Sequence, residues 1–244
     1  MPPIKTLPPA RRILALAALA WVAYVAARTA IQRLLPVSDM GSYLEQDAVI
    51  TILRLSCLAF CFWLGRLRYS RESFLNLPGR RALSWGLGAW FFAAFILSAV
   101  ARPYAPLTPW NWGSRALETA IALAVAANEE VGWRGALFEP IRELWGAGWA
   151  LSLTSLGFFL MHLGYQPWPA WPRIILTGLA FGLARLRGVS LTALIFIHFA
   201  CDAAEALYQP EGMAPDMKLH WISAGLTGAA ALAIFFLKPK PAAA

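Results

Sequence analysis

The chain has 244 residues, of which 59% are hydrophobic and 14% are charged. Soluble domains contain roughly 45–50% apolar and about 25% charged residues, so this composition excludes an ordinary soluble protein, and its aromatic content excludes a disordered chain. The net charge of +8 comes mainly from Lys and Arg in loops between apolar runs, which is typical of membrane topology and gives no support to nucleic-acid binding.

Eight apolar segments follow one another along the chain, each bounded by Pro, Gly or charged residues. They cover residues 13–35, 48–65, 83–101, 115–138, 148–164, 173–185, 189–207 and 219–237. One crossing of a bilayer takes about 20 residues, so a chain of this length has no room for a large soluble domain as well. We therefore predict an all-α polytopic membrane bundle of about eight transmembrane helices, with residues 1–244 forming a single transmembrane domain.

The basic residues concentrate in alternate loops, which predicts an orientation. The N-terminal segment, the loop after the second apolar segment and the C-terminal tail are all basic, as shown by Lys5, Arg11, Arg12, Arg66, Arg68, Arg71, Arg80, Arg81, Lys238 and Lys240. By the positive-inside rule, both termini lie in the cytoplasm of a multi-pass protein. The high usage of Ala, Trp and Arg is typical of a bacterium with a GC-rich genome, so the predicted location is the inner (plasma) membrane.

The fourth apolar segment contains the first group of ionisable residues, in the run NEEVGWRGALFEP. A charged group within an apolar span costs roughly 2.5–3.5 kcal/mol even on insertion scales, so each one requires an explanation: a function, or a helix end that already lies at the water interface. Glu130 and Arg134 are four residues apart and lie on one helix face, where they can pair. Glu129 is rotated away from them by about 100°. This arrangement predicts that the cation holds Glu130 while Glu129 is left for acid–base chemistry.

Two histidine motifs follow on later segments. Phe158 and His162 share one face of the fifth segment, and His198 and Asp202 are likewise four residues apart on the seventh. Each of these polar groups must avoid lipid, so a helical bundle brings them together in its interior. Two Glu, two His and one Asp in a membrane cavity predict a hydrolytic centre.

The residue types are compatible with two chemistries. In one, a Glu and a His deprotonate water directly, while the other His and Asp202 stabilise a tetrahedral oxyanion. In the other, Glu129, His162 and His198 hold a zinc ion that activates the water. Nucleoside triphosphate and nicotinamide cofactors have no support, because the sequence contains neither a P-loop nor a dinucleotide-binding glycine motif.

The three motifs, in this order and at these intervals, resemble those of the CAAX protease and bacteriocin-processing (CPBP) family, which includes the type II CAAX prenyl endopeptidases. The family pattern EExxxR, FxxxH and HxxxN or HxxxD corresponds to Glu129-Glu130…Arg134, Phe158…His162 and His198…Asp202. The resemblance covers about residues 115–205, which form the motif-bearing core. It implies a glutamate-type intramembrane endopeptidase in a bundle of eight spans, with no obligatory metal or other cofactor.

The resemblance also implies a role for each residue. Glu129 would activate the attacking water with His162, and His198 with the residue at position 202 would support the oxyanion. Glu130 and Arg134 would organise the site. Asp202 stands where the prenyl endopeptidases carry Asn, and an ionised Asp would repel an oxyanion. Asp202 must therefore be protonated, or must orient His198 from behind.

The expected substrate is a membrane-anchored or lipidated protein, cut near its terminus. Prenyl-protein processing, bacteriocin maturation and removal of a C-terminal sorting tail are all compatible with the sequence. Two other functions are compatible with the same fold: a proton-coupled carrier, in which buried Glu, His and Asp relay protons, and a non-catalytic immunity or scaffold protein.

The predicted spans contain one inconsistency. If they are straight, Glu129 lies toward the cytoplasmic half of the fourth span and His162 toward the outer end of the fifth, so their depths differ by about 10 Å.

Overall fold

The structure is a computed structural model that describes residues 8–38, 40–69, 81–100, 112–163, 166, 168–207 and 217–237. All regular structure within these ranges is helical. The helices are α1 (Ala10–Leu34), α2 (Met40–Arg68), α3 (Arg81–Val100), α4 (Trp112–Glu130), α5 (Phe138–Trp145), α6 (Ala147–His162), α7 (Trp171–Leu186), α8 (Leu191–Leu207) and α9 (Met217–Phe236). A π-helical segment, Val131–Leu137, joins α4 to α5, and a 3₁₀ turn, Trp168–Ala170, precedes α7.

These helices form a membrane bundle. Three segments, Ala10–Leu34, Glu45–Arg68 and Met217–Phe236, are long and apolar enough to cross a bilayer. The outer face of α1 is apolar, with Leu19 and Val22 each 66% exposed, which is the pattern of a lipid-facing helix. Each of the eight predicted apolar segments overlaps one helix longer than 15 residues. The two termini, whose cytoplasmic placement is predicted, lie outside the described residues, as do the predicted segment ends at 101 and 164.

The π segment lies at the centre of the bundle. Helices α1 and α2 pair and cover it from one side, while α6, α7 and α8 contact it from the other. Helix α8 also packs along α4 and α3, and α9 packs on α7 and α3. Pro140 explains the wider turn locally: it has no N–H for the carbonyl of Ala136, and its ring would clash with that carbonyl in a regular α-helix. Such π segments are frequent at functional sites.

A glycine turn corrects the predicted depth mismatch. The helical run that begins at α4 does not end near residue 138 but continues through α5 to Trp145. Gly146 then reverses the chain with φ 90°, a conformation that favours glycine. Glu129 precedes this turn by about 17 residues and His162 follows it by about 16, and both stretches rise about 25 Å. The two side chains therefore lie at the same depth, so the expected difference of about 10 Å is wrong.

The predicted difference in depth was wrong because the charged residues of α5 are typical of a loop, so the helical run was expected to end before them. One of them, Glu143, accepts a hydrogen bond from Nε of Arg68 at 3.0 Å, which ties α5 to the end of α2. The same bond holds the pKa of the Glu143 carboxyl below its usual range. The charged face of α5 thus has a partner on a neighbouring helix.

Gly132 is a point of close approach between α1 and the π segment. A Cβ atom at this position would overlap the indole ring of Trp21. Trp21 is 3% exposed and its ring stacks on Trp133 at a centroid distance of 4.9 Å, so it has little freedom to move away.

We expect Gly132→Ala to lower the free energy of unfolding by about 1–3 kcal/mol, as overpacking in a filled core does. Thermal unfolding in detergent measures this change. Gly148→Ala is the matched control, because a Cβ atom there meets nothing within 4 Å and alanine is the better helix former. A Gly132→Ala protein as stable as the Gly148→Ala protein would contradict the close approach of α1.

Candidate active site

The structure brings all seven residues of the three motifs into one cluster between α4, α6 and α8. Glu129 and Glu130 end α4, and Arg134 lies in the π segment. Phe158 and His162 come from α6, and His198 and Asp202 from α8. Side chains of Glu130 and Arg134 are 0% and 1% exposed, whereas that of Asp202 is 24% exposed. The cluster is therefore buried at the arginine and more accessible at Asp202.

Glu130 is the carboxylate of the pair that bonds to neighbouring side chains. Its Oε1 atom accepts a hydrogen bond from Nη1 of Arg134 at 3.2 Å and lies 2.9 Å from Nδ1 of His198. The pairing of Glu130 with Arg134, predicted from their spacing, is confirmed. One carboxylate oxygen thus fixes both the arginine and the histidine of a different helix.

Arg134 is enclosed by protein on all sides. Its Nη2 atom donates a hydrogen bond to the carbonyl oxygen of Gly178 at 3.3 Å, and its guanidinium carbon lies 4.4 Å from the ring centroid of Phe158 and 5.4 Å from that of Phe181. Two aromatic faces and two hydrogen bonds compensate a cation that is fully removed from water. Arg134 therefore joins α4, α6 and α7 around the site.

Glu129 faces the two histidine side chains. Its Oε2 atom lies 4.0 Å from Nε2 of His162 and 3.9 Å from Nε2 of His198. This oxygen is buried and has no hydrogen-bond partner among the described residues. A buried carboxylate oxygen without a partner is costly, so this position indicates a group that binds something during function.

The hydrogen bond at Nδ1 of His162 determines its tautomer. That nitrogen lies 2.7 Å from the backbone carbonyl oxygen of Phe158. A carbonyl only accepts, so Nδ1 carries a proton, and the neutral form of the ring has its lone pair at Nε2. The lone pair is on the side of Glu129, where it can accept a proton from water.

Asp202 does not lie behind His198. Its Oδ2 atom is 3.4 Å from Nε2 of His198, the same nitrogen that faces Glu129, while Nδ1 is occupied by Glu130. The alternative in which Asp202 orients His198 from behind is therefore wrong. The spacing of four residues places Asp202 beside the reactive nitrogen, and Glu130, on another helix, reaches the far one.

The distances around Glu129 suit a water molecule. A water about 2.8 Å from each of two polar atoms bridges a separation near 4 Å. Two ligands of a tetrahedral zinc ion, each about 2.0–2.2 Å from the metal, lie only about 3.4 Å apart. No group of three or more His, Cys, Asp or Glu side chains in the described ranges has a metal-binding arrangement. Glu129, His162 and His198 would have to move closer together to bind zinc.

If the cluster hydrolyses a peptide bond, as the resemblance implies, we expect turnover by the purified protein to continue in excess chelator, because water fits the observed spacing without a metal. A cleavage assay with and without 1,10-phenanthroline measures this. Turnover that stops with the chelator and returns when zinc is added would instead establish the zinc-dependent chemistry.

No residue of α7 was among the predicted site residues, although this helix completes the site. Gly178 supplies the carbonyl for Arg134, and Phe181 lies against both Arg134 and His198, the latter at a centroid distance of 5.8 Å. A signal was present: Gly178 and Gly182 form a G-x-x-x-G pattern, which lets helices approach closely in membranes. A Cβ atom at Gly178 would lie 3.1 Å from Cα of Ser155, so α6 and α7 meet here.

Residues 111–204 match a family model described as Type II CAAX prenyl endopeptidase Rce1-like. This range contains all three motifs, so the match confirms the resemblance inferred from them. No curated protein and no solved structure matches the chain.

Proposed function

From the match to the type II CAAX prenyl endopeptidases, we propose that the protein is an intramembrane endopeptidase that hydrolyses a peptide bond near the terminus of a membrane-anchored or lipidated protein. The observation that carries the proposal concerns the Oε2 atom of Glu129. Among the described residues this oxygen has no hydrogen-bond partner, and it faces Nε2 of both His162 and His198. We place the protein in a bacterial inner membrane as a single transmembrane domain with eight spans and both termini in the cytoplasm.

In the proposed reaction, a water between Glu129 and His162 loses a proton to this pair and attacks the carbonyl carbon of the scissile peptide. The carbonyl oxygen becomes the oxyanion of a tetrahedral intermediate. Nε2–H of a doubly protonated His198 and the neutral carboxyl group of Asp202 donate hydrogen bonds to that oxygen. When the intermediate collapses, the C–N bond breaks and the proton held by Glu129 and His162 passes to the leaving amine. Glu130 and Arg134 position His198 and do not touch the substrate.

The substrate and the activity can be tested together by comparing terminal peptides from membranes of cells that carry the wild type or Glu129→Ala. We expect new termini that are present with the wild type and absent with the variant. Glu143→Ala is the matched control, since it removes an exposed carboxylate far from the cluster. Identical peptide sets from wild type and Glu129→Ala, with both proteins shown to be folded, would refute the protease and favour a carrier or a non-catalytic scaffold.

The proposed role of Asp202 predicts a change in the pH profile. If its neutral form donates a hydrogen bond to the oxyanion, ionisation of Asp202 at higher pH removes that donor. Asp202→Asn keeps a donor at position 202 at every pH, so we expect the variant to stay active and to keep a larger share of its kcat on the alkaline side than the wild type does. Loss of the Nε2 proton of His198 lowers kcat in both proteins. Rates measured across the pH range test this. An inactive Asp202→Asn protein with a wild-type melting temperature would show that the acid itself is required.

A further inference from the structure

Arginine side chains at one end of the bundle tie several helix ends together. Arg68, at the end of α2, donates hydrogen bonds to the backbone carbonyl oxygen of Pro8 and to the carboxylate of Glu143. Arg185, near the end of α7, donates one to Glu139 of α5 at 3.1 Å. The arginines at this end, which we call the basic end, include Arg11, Arg12, Arg66, Arg68, Arg81, Arg142, Arg185 and Arg187. By the positive-inside rule, the basic end is the cytoplasmic one.

The opposite end of the bundle, which we call the outer end, carries charges of both signs. Its helix ends contribute Arg28, Arg33, Glu45, Asp47, Arg115, Glu118, Arg173 and Lys218. Exposed tryptophans mark both membrane surfaces, because their rings favour the interface between lipid and water. Those near the basic end are Trp85, Trp145 and Trp149, and those near the outer end are Trp112, Trp168, Trp171 and Trp221. The motif cluster can therefore be located relative to the two surfaces.

The cluster of the three motifs is open toward the outer end. His162 is the last residue of α6, a 16-residue helix that starts at the basic end and rises about 24 Å. Helix α8 also starts at the basic end, so Asp202 lies one turn farther out than His198. Side-chain exposure increases in the same direction, from 1% at Arg134 through 6% at His198 to 24% at Asp202. The water that hydrolysis consumes can enter from this side.

A packed layer separates the cluster from the basic end. A Cβ atom at Gly182 of α7 would lie 2.7 Å from the side chain of Leu151 and 3.6 Å from that of Phe138, so α5, α6 and α7 meet here. Nearer the basic end, the ion pair of Glu139 and Arg185 is buried between α5 and α7. The residues of this layer that are 0% exposed are Phe138, Ala150, Ala184, Leu191 and Leu194. Among the described residues, the cluster is therefore closed toward the basic end.

We propose that the cluster takes its substrate from the extracytoplasmic side of the membrane, and that this substrate is an exported protein held in the bilayer by a terminal membrane span. The inference rests on the proposed function and narrows it, because it places the scissile bond where that span enters the outer leaflet. Hydrolysis there separates the exported part from its span. A protein whose lipid anchor lies in the cytoplasmic leaflet presents its terminus at the basic end, behind the packed layer, and is not a substrate.

The orientation can be tested without any activity by introducing one reactive thiol near each end. Leu163 follows His162 at the outer end, and Leu144 precedes the Gly146 turn at the basic end; their side chains are 37% and 40% exposed. In spheroplasts, we expect a charged maleimide that does not cross the membrane to label Leu163→Cys, and to label Leu144→Cys only after the membrane is opened. The wild type gives the background, because its three cysteines are buried.

The side of cleavage can be tested with the peptide whose formation depends on Glu129, synthesised over its cleavage site with a charged tag. Sealed vesicles of both orientations, right-side-out and inverted, are prepared from the same cells. We expect right-side-out vesicles to cleave added peptide at least about 10-fold faster than inverted ones, because a charged tag does not cross a bilayer unaided. Detergent should remove this difference. Vesicles that carry Glu129→Ala give the background.

The outcomes separate the two proposals. Cleavage that is equal in the two sealed preparations, or faster in the inverted one, would overturn the extracytoplasmic substrate and leave the endopeptidase intact. Labelling of Leu144→Cys from outside intact spheroplasts would overturn the orientation on which it depends. If neither preparation cleaves the peptide above the Glu129→Ala background, even in detergent, the proposed function fails, and the thiol labelling still measures the orientation.

Discussion

Glu129→Gln is expected to reduce kcat by about 10³-fold or more while leaving the melting temperature close to that of the wild type. The substitution keeps the shape of the side chain but removes its negative charge, and general-base groups typically contribute about 10²–10⁴-fold. Folding should tolerate the change because the Oε2 atom of Glu129 has no hydrogen-bond partner to lose among the described residues. Single-turnover cleavage and thermal unfolding in the same detergent measure the two quantities.

Glu143→Gln is the matched control for this prediction. It removes the charge of a carboxylate on α5 that is 42% exposed and accepts a hydrogen bond from Arg68 of α2. It should leave turnover unchanged. His162→Ala should lose activity as Glu129→Gln does, because the proposed reaction places the attacking water between these two side chains. Full turnover by Glu129→Gln would exclude it as the group that activates water, and a large fall in its melting temperature would assign it a structural role.

Local spacing predicted the parts of the site that lie within one helix. The pairing of Glu130 with Arg134 follows from four residues on one helical face, and the structure has these groups 3.2 Å apart. The contact of His198 with Asp202 follows from the same rule. Such pairs depend only on helix geometry, which apolar periodicity identifies reliably.

Contacts between helices could not be predicted in the same way. The bond between Glu130 and His198 joins residues 68 positions apart, and that between Arg134 and Gly178 joins residues 44 apart. Both depend on which helices are neighbours and on their rotation, and one sequence contains neither. The alternative that placed Asp202 behind His198 has this origin, because the sequence offered no reason to place Glu130 there instead.

The helical continuation past residue 138 was hidden for a different reason. Pro140 and the charged residues after it are typical of a loop, and hydropathy ends the predicted span there. In the structure the π segment accommodates Pro140 without ending the helical run. The consequence is functional: the run places Glu129 and His162 at equal distances from Gly146, so two groups that seemed to differ in depth face each other.

Arg134→Met is expected to lower the free energy of unfolding by about 3–5 kcal/mol, the usual cost of removing one partner from a buried ion pair. Methionine fills much of the volume between Phe158 and Phe181. The decrease in the free energy of unfolding therefore comes mainly from the charge left unpaired on Glu130. Thermal or denaturant unfolding in detergent measures it. A variant as stable as the wild type would mean that the ion pair does not hold the site together.

The double variant Glu130→Gln/Arg134→Met separates stability from positioning. With no charge left buried in this pair, it should regain most of the stability lost by Arg134→Met, although the bond to the carbonyl of Gly178 stays absent. Turnover should stay low, because the amide that replaces the carboxylate of Glu130 is a neutral and weaker acceptor for Nδ1 of His198. Additive losses of stability would contradict the pairing, and wild-type turnover in the double variant would contradict the positioning of His198 by Glu130.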